Sequence, residues 1–188
     1  MPHFIRWYDD ALAPEICQDI IARFEHDERK MVGMVSGNQG AEVDLKGKQT
    51  SELILQSDDW ADIIDTLQQN LFTYLDTYSA DVKFLAGSDH KELQGEPLRL
   101  KKYDIGGQFH WHIDCNSQRN RTRALAIQWY FNTVDEGGHT EFEDQKARIQ
   151  PVEGRLAFFP VAWTYRHRGA PPSSGPKYVC TTFVHPVF

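Results

Sequence analysis

Two textures divide the chain. Up to about residue 90, apolar side chains recur at intervals of three and four; from Pro97 they come in short runs broken by turn residues. Pro14 opens a first helix, since proline is tolerated at the first helical position, and Ile16, Ile20, Ile21 and Phe24 then share one face. A second helix is predicted from about Asp58 to Tyr78. It carries Trp60, Ile63, Ile64, Leu67, Leu71, Tyr74 and Tyr78 on one stripe, with Ser57 placed to cap it. Between the helices a short apolar piece, Met31–Val35, leads into S-G-N-Q-G and K-G-K-Q. This is a glycine-punctuated loop, and residues 36–50 are a candidate lid. Strands are expected near 97–103, 107–114, 124–132, 139–143, 146–150, 155–160, 163–168 and 177–185. Two helices followed by about eight short strands predict a mainly β protein, a jelly roll with N-terminal helices packed on its outer face, because neither helix buries its stripe alone. One domain is expected over 1–188, with a helical buttress over about 1–90 and a core over about 97–188.

Strand side chains alternate between faces. Alternation through 108–114 puts Gln108, His110, His112 and Asp114 on one face and Phe109, Trp111 and Ile113 on the other. The apolar set is expected to pack and the polar set to look into a cavity. In the last strand Lys177, Val179, Thr181, Phe183 and His185 share a face, opposite Tyr178, Cys180, Thr182 and Val184. A face of Lys, Thr, Phe and His suits an interior that holds a charged ligand. Tyr103 falls with Arg99 and Lys101 on a further polar line.

Two imidazoles and a carboxylate, with coordination positions left open, form the facial triad of non-haem Fe(II) oxygenases. His112 and Asp114 offer two ligands from one strand, and His167 offers the third from a later one. His110 is a rival on the same face, and H-W-H with Asp114 could hold zinc. His139 and His185 are read as histidines that line or support the site, and His3, His26 and His90 as surface residues.

Composition narrows this picture. With 40% apolar and 25% charged residues the chain is globular rather than disordered. A net charge of −7 argues against a nucleic-acid backbone as partner, which wants a basic face. No apolar run reaches membrane-span length, and the acidic start M-P-H-F-I-R-W-Y-D-D is unlike a signal peptide, so a cytoplasmic protein is expected. Cys17, Cys115 and Cys180 are far apart and form no CxxC, which excludes zinc-finger and thioredoxin readings.

The pieces together resemble the Fe(II)/2-oxoglutarate-dependent dioxygenases, in the prolyl 4-hydroxylase-like branch, over about 97–188. That branch places a Tyr nine residues before its first His, a Gly three after the Tyr and an aromatic three later; here these are Tyr103, Gly106, Phe109 and His112. Its Arg and aromatic-x-Asn resemble Arg123 and Tyr130-Phe131-Asn132. Its G-G-E-T-x-F resembles Gly137-Gly138-His139-Thr140-Glu141-Phe142, with His139 replacing the acid. Its P-x-x-G-x-x-x-x-F resembles Pro151, Gly154 and Phe159, and its distal His with a Lys ten residues on resembles His167 and Lys177. These spacings favour His112 over His110.

The resemblance implies a double-stranded β-helix, cupin-like, that binds Fe(II) through His112, Asp114 and His167. It implies 2-oxoglutarate anchored by Lys177 and Tyr103, with Thr140 and Thr181 lining that pocket. An ammonium and a phenol are apt partners for a carboxylate in a confined site. O2 is the second cosubstrate and ascorbate a reductant. Arg123, Phe183 and His185 match positions that approach substrate, while Phe183 and Tyr178 stand where the branch commonly has Trp. Because Asp114 fills the position that halogenating relatives leave vacant, hydroxylation is implied. The implied substrate is a prolyl residue in a peptide or protein, or free proline. Arg123, Arg166 and Arg168 could greet its carboxylate or backbone. The competing readings are a 2-oxoglutarate oxygenase for another amino acid or small molecule, a cupin-like zinc enzyme, and a non-catalytic jelly-roll binding module.

Overall fold

The structure is a computed structural model that describes residues 4–37, 40–56, 58–83 and 93–186. Ser57, His3 and His90 lie outside the described residues. Helix α1 spans Pro14–His26 and α2 spans Ala61–Val82, entered through a 3-10 turn at Asp58–Trp60. The strands are β1 (Arg6–Tyr8), β2 (Met31–Val32), β3 (Val35–Gly37), β4 (Gly40–Glu42), β5 (Ser51–Ile54), β6 (Leu93–Gly95) and β7 (Arg99–Tyr103). There follow β8 (Phe109–His112), β9 (Leu125–Tyr130), β10 (Thr140–Phe142), β11 (Ala147–Ile149), β12 (Leu156–Pro160), β13 (His167–Gly169) and β14 (Lys177–Pro186).

Each of the eight strands expected from Pro97 onward has a counterpart; six are trimmed at their ends, β13 starts four residues later than expected, at His167, and β14 runs one residue further, to Pro186. They form two antiparallel sheets. The larger runs β1-β12-β9-β14-β7-β5-β2, with β6 also on β14; the smaller runs β11-β10-β13-β8. After Met31–Val35 the sequence suggests only a glycine-punctuated loop. Instead β5 pairs with β7, and Gly47–Gln49 joins the edge of β8 through His110 N–H to Gly47 O (2.7 Å) and Gln49 N–H to Gln108 O (2.7 Å). These segments are too short to show a period, so only their partners define them.

The helices pack where expected. Cys17, Ile20 and Phe24 of α1 and Ile63, Leu67, Leu71, Leu75 and Tyr78 of α2 join Leu100, Ile127, Trp129, Phe158 and Cys180 from the larger sheet in one core. Trp129 Nε1 donates to Asn70 Oδ1 (2.8 Å), so even the indole N–H is satisfied beneath α2. A second core lies between the sheets: Tyr130, Ala157, Phe159 and Val179 from the larger, Phe142 and Ile149 from the smaller. Cys17 and Cys180 are buried and unbridged, and burial pushes their thiols up to about 11 and about 12, which leaves them packing residues.

Candidate active site

Side chains alternate as expected on β14 and β7. Lys177, Thr181 and Phe183 from β14, and Lys101 and Tyr103 from β7, line a cavity between the sheets. His112, Asp114 and His167 line the same cavity from the smaller sheet. Alternation fails on β8. His112 pairs with His167, but Phe109 pairs with Gly169, so two residues of β8, His110 and Trp111, oppose the single Arg168. Such a bulge shifts the phase of the side chains. Phe109, expected on the packing face, therefore lines the cavity and stacks on the His112 ring at 3.6 Å between centroids. His110, expected to face inward, is exposed. The bulge thus removes the rival ligand.

The donor atoms of His112, Asp114 and His167 lie within 4.8 Å of one another. His112 Nδ1 meets the carbonyl of His110 (2.7 Å), and His167 Nδ1 meets that of Tyr165 (3.0 Å). A carbonyl can only accept, so each Nδ1 carries the proton and each neutral ring presents the Nε2 lone pair inward. The two Nε2 atoms lie 3.4 and 3.3 Å from the Asp114 oxygens. Two lone pairs and a carboxylate aimed at one point repel unless a cation sits among them. Their nitrogen and oxygen chemistry fits a divalent iron. Burial lowers the His112 pKa, helped by the nearby His167, which favours the neutral ligand form. Burial alone would raise Asp114; positive charge on His167 and His112 would hold it well below the usual carboxylate range, and a cation bound between the neutral rings would do the same. Phe159 packs edge-on against His167 at 5.0 Å, fixing the ring's orientation.

Lys177 is fully buried at the other side of the cavity. Its Nζ donates to Gly138 O (2.8 Å) and sits 4.0 Å above the Tyr103 ring. Gly138 reaches this position at φ +70°, a conformation that suits glycine. Burial, with Lys101 nearby, pushes the Lys177 amine down to about 7. A buried ammonium with one carbonyl partner has donors to spare and fits an entering carboxylate. A Cβ built on Gly169 would lie 3.2 Å from the Tyr103 hydroxyl, so the bare backbone there makes room for the phenol.

Thr140 and Thr181 both line the cavity, linked through Gln128: Gln128 Nε2 donates to Thr140 Oγ1 (3.0 Å), and Thr181 Oγ1 reaches Gln128 Oε1 (3.5 Å). The Tyr130 hydroxyl also bonds Thr140 Oγ1 (2.7 Å). Of the three substrate candidates only Phe183 is on the cavity wall. Arg123 stacks on it at 3.7 Å but gives its guanidinium to Glu96 (2.6 Å, two contacts) and to Asp114 O (3.1 Å). His185 also bonds Glu96 (2.8 Å) and Thr122 (2.8 Å). Arg166 and Arg168 pair with Glu143 (2.5 Å) and Glu141 (2.7 Å) beside the Trp111 ring. Gln128, Phe109, Phe159 and Glu96 join the site residues expected from the sequence. Gln128 had a signal, a lone amide inside the apolar run L-A-I-Q-W-Y; Glu96 had none.

The family model described as the 2OG-Fe(II) oxygenase superfamily matches residues 98–185. No curated protein sequence matches. Among solved structures, a viral collagen prolyl hydroxylase from Paramecium bursaria Chlorella virus-1, in complex with 2OG, superposes with a TM-score of 0.73 at 18% identity, covering 98% of this chain and 97% of that one. A prolyl hydroxylase from Trichoplax adhaerens, in complex with a hypoxia-inducible-factor degradation-domain peptide, gives 0.78 at 15% identity over 98% and 84%. A prolyl-4-hydroxylase from Pseudomonas putida gives 0.67 at 14% over 99% and 94%. The matched stretch takes in all three triad residues and Lys177, and over that stretch the chain resembles the 2OG-Fe(II) oxygenase superfamily.

Proposed function

We propose that His112, Asp114 and His167 hold Fe(II), and that Lys177 with Tyr103 takes the distal carboxylate of 2-oxoglutarate, so that one domain serves as a dioxygenase that hydroxylates an unactivated C–H bond. The observation that carries this reading is the pairing of inward Nε2 lone pairs and a carboxylate with a buried, under-bonded ammonium across one cavity. The bound iron would supply oxygen activation coupled to the oxidation of 2-oxoglutarate to succinate and CO2, leaving the second oxygen atom for the substrate. The chain's residues do the rest. The backbone carbonyls of His110 and Tyr165 fix the ring tautomers. Lys177 orients the cosubstrate, and Phe109 and Phe159 keep water from the ligand rings. Thr140, Thr181 and Gln128 offer further polar contacts on the wall between anchor and triad.

The substrate class we infer is a prolyl group, in a peptide or as free proline. Its support is the fold shared with the viral and Trichoplax prolyl hydroxylases, and Phe183 on the cavity wall. Anaerobic addition of Fe(II) and 2-oxoglutarate should give a weak visible charge-transfer band, and air should then release succinate. No band and no succinate would sink the oxygenase reading and favour a zinc site. Mass spectrometry of proline peptides and free proline after turnover should show a gain of one oxygen.

A further inference from the structure

Lys101 is the residue that the reaction outlined above does not use. It sits two residues before Tyr103 on β7, and its side chain lines the same cavity as the triad and Lys177. It is close enough to Asp114 for the two charges to interact. Among the described residues its Nζ makes no hydrogen bond and no ion pair. The acid facing it across the sheet is Glu52 on β5, paired in register with Lys101. Glu52 is fully buried and already occupied: Lys48 Nζ lies 2.7 Å from one oxygen, Arg99 3.0 Å from the other, and Thr50 Oγ1 donates at 2.9 Å. Two cations contact that carboxylate directly, while Lys101 acts on it through charge alone, without contact.

Charge balance points the same way. A divalent iron on Asp114 keeps one positive charge. A 2-oxoglutarate dianion cancels it together with the charge of Lys177. Lys101 is left over, beside a carboxylate that is already outnumbered. An amine drawn into this cavity with no carboxylate in contact is costly to charge, and burial with the neighbouring Lys48, against the pull of Glu52 and Asp114, pushes it down to about 8.

We propose that Lys101 is a specificity-determining residue that receives a carboxylate of the substrate beside the metal site. The substrate is then an anion, either the α-carboxylate of a free amino or imino acid or an acidic side chain next to the target residue in a peptide. This rests on the dioxygenase reading, because the geometry is read relative to the triad and the Lys177 anchor. Arg166, Arg168 and Arg123, the cations named from the sequence for this task, all have carboxylate partners.

The test is calorimetric titration of protein loaded with Zn(II) and 2-oxoglutarate, which binds without turnover. The probes are matched pairs: free amino acids, proline included, against their amides, and blocked proline peptides with a neighbouring Asp against the same peptides with Asn. The expected result is that one kind of pair favours the carboxylate by about 10- to 100-fold, the range for a hydrogen bond to a charged group. Which kind does so identifies the source. Lys101→Met should erase the preference and Lys101→Arg should retain most of it. Glu52 keeps Lys48 and Arg99 in either variant, so its own pairing survives. The inference is overturned if no pair shows a preference, or if Lys101→Met leaves the preference intact. It is also overturned if Lys101→Met weakens 2-oxoglutarate itself by the same factor, which would make Lys101 a second cosubstrate anchor. If 2-oxoglutarate fails to bind the metal-loaded wild-type protein, the dioxygenase reading fails instead.

Discussion

Along β14 the side chains toward the helices are Tyr178, Cys180 and Val184, while those toward the smaller sheet are Lys177, Thr181 and Phe183. The neighbouring strands divide alike. Ile127 and Trp129 of β9 face α2, and Gln128 faces the cavity; Leu100 of β7 faces outward, and Lys101 and Tyr103 face in. One set of backbones thus carries a dry apolar layer on one side and a buried polar wall on the other. The outer face stabilises the sheet by burying area, which is tolerant of chemistry and sensitive to volume. The inner face holds amines, amides and hydroxyls that cost free energy to bury and are retained for what they bind. Stability and activity should therefore separate residue by residue along a single strand.

The largest break in that comparison is expected at the metal end. His167→Ala or Asp114→Ala should reduce succinate formation to background and abolish the charge-transfer band, while the denaturation midpoint moves far less than activity does. Activity that persists would place the ligands elsewhere. The outer face should show the reverse. Trp129→Ala removes a fully buried indole with its bond to Asn70, and should cost roughly 3–5 kcal/mol in chemical denaturation. Turnover per folded molecule should stay close to wild type. Smaller is the effect of Lys177→Met. Loss of a charge-assisted contact should raise the 2-oxoglutarate requirement about 10- to 100-fold; an unchanged requirement would mean the anchor is misassigned.

Lys177 also predicts a pH dependence. Its amine falls from 10.5 to about 7 in the folded, ligand-free protein, so between those pH values the unfolded chain binds more protons. Stability from this group is then greatest above pH 10.5 and declines as the pH falls toward 7, by at most about 1.4 kcal/mol per pH unit. Lys101, lowered to about 8, adds to the slope in the same sense. Stability curves at pH 7.5 and pH 9 should show the rise, and Lys177→Met should flatten it. The smallest effect is expected on the exposed side of the helices. Arg23 of α1 bonds Asp62 of α2 (2.8 Å) and Asp19 (2.8 Å), and Asp62→Ala should leave the denaturation midpoint almost unmoved, with no change in turnover.

What could be read from the sequence follows the range of the interactions that decide it. Alternation is a local property, so the inward faces of β7 and β14 were legible, as were the apolar stripes of α1 and α2. The motif spacings led to His112, Asp114, His167 and Lys177, which the fold brings to one cavity. Phe109 and His110 were misassigned because the bulge is defined by the partner strand β13, and nothing in F-H-W-H announces it. Glu52 was missed for a similar reason. It reads as one acid in a mixed segment, and its importance arises only when β5 pairs with β7 and brings Lys101 and Arg99 alongside. Arg123 was placed near substrate by resemblance, but Glu96, 27 residues earlier, takes its guanidinium.

The division of labour between the sheets has a mechanical consequence. The triad hangs from or beside β8 and β13, whereas Lys177, Tyr103 and Thr181 hang from β14 and β7. A molecule that bonds both groups acts as a rivet through two plates. Its loading should tighten the gap and slow amide exchange in the edge strand β8, which has one sheet neighbour, β13, and the short Gly47–Gln49 segment beside it.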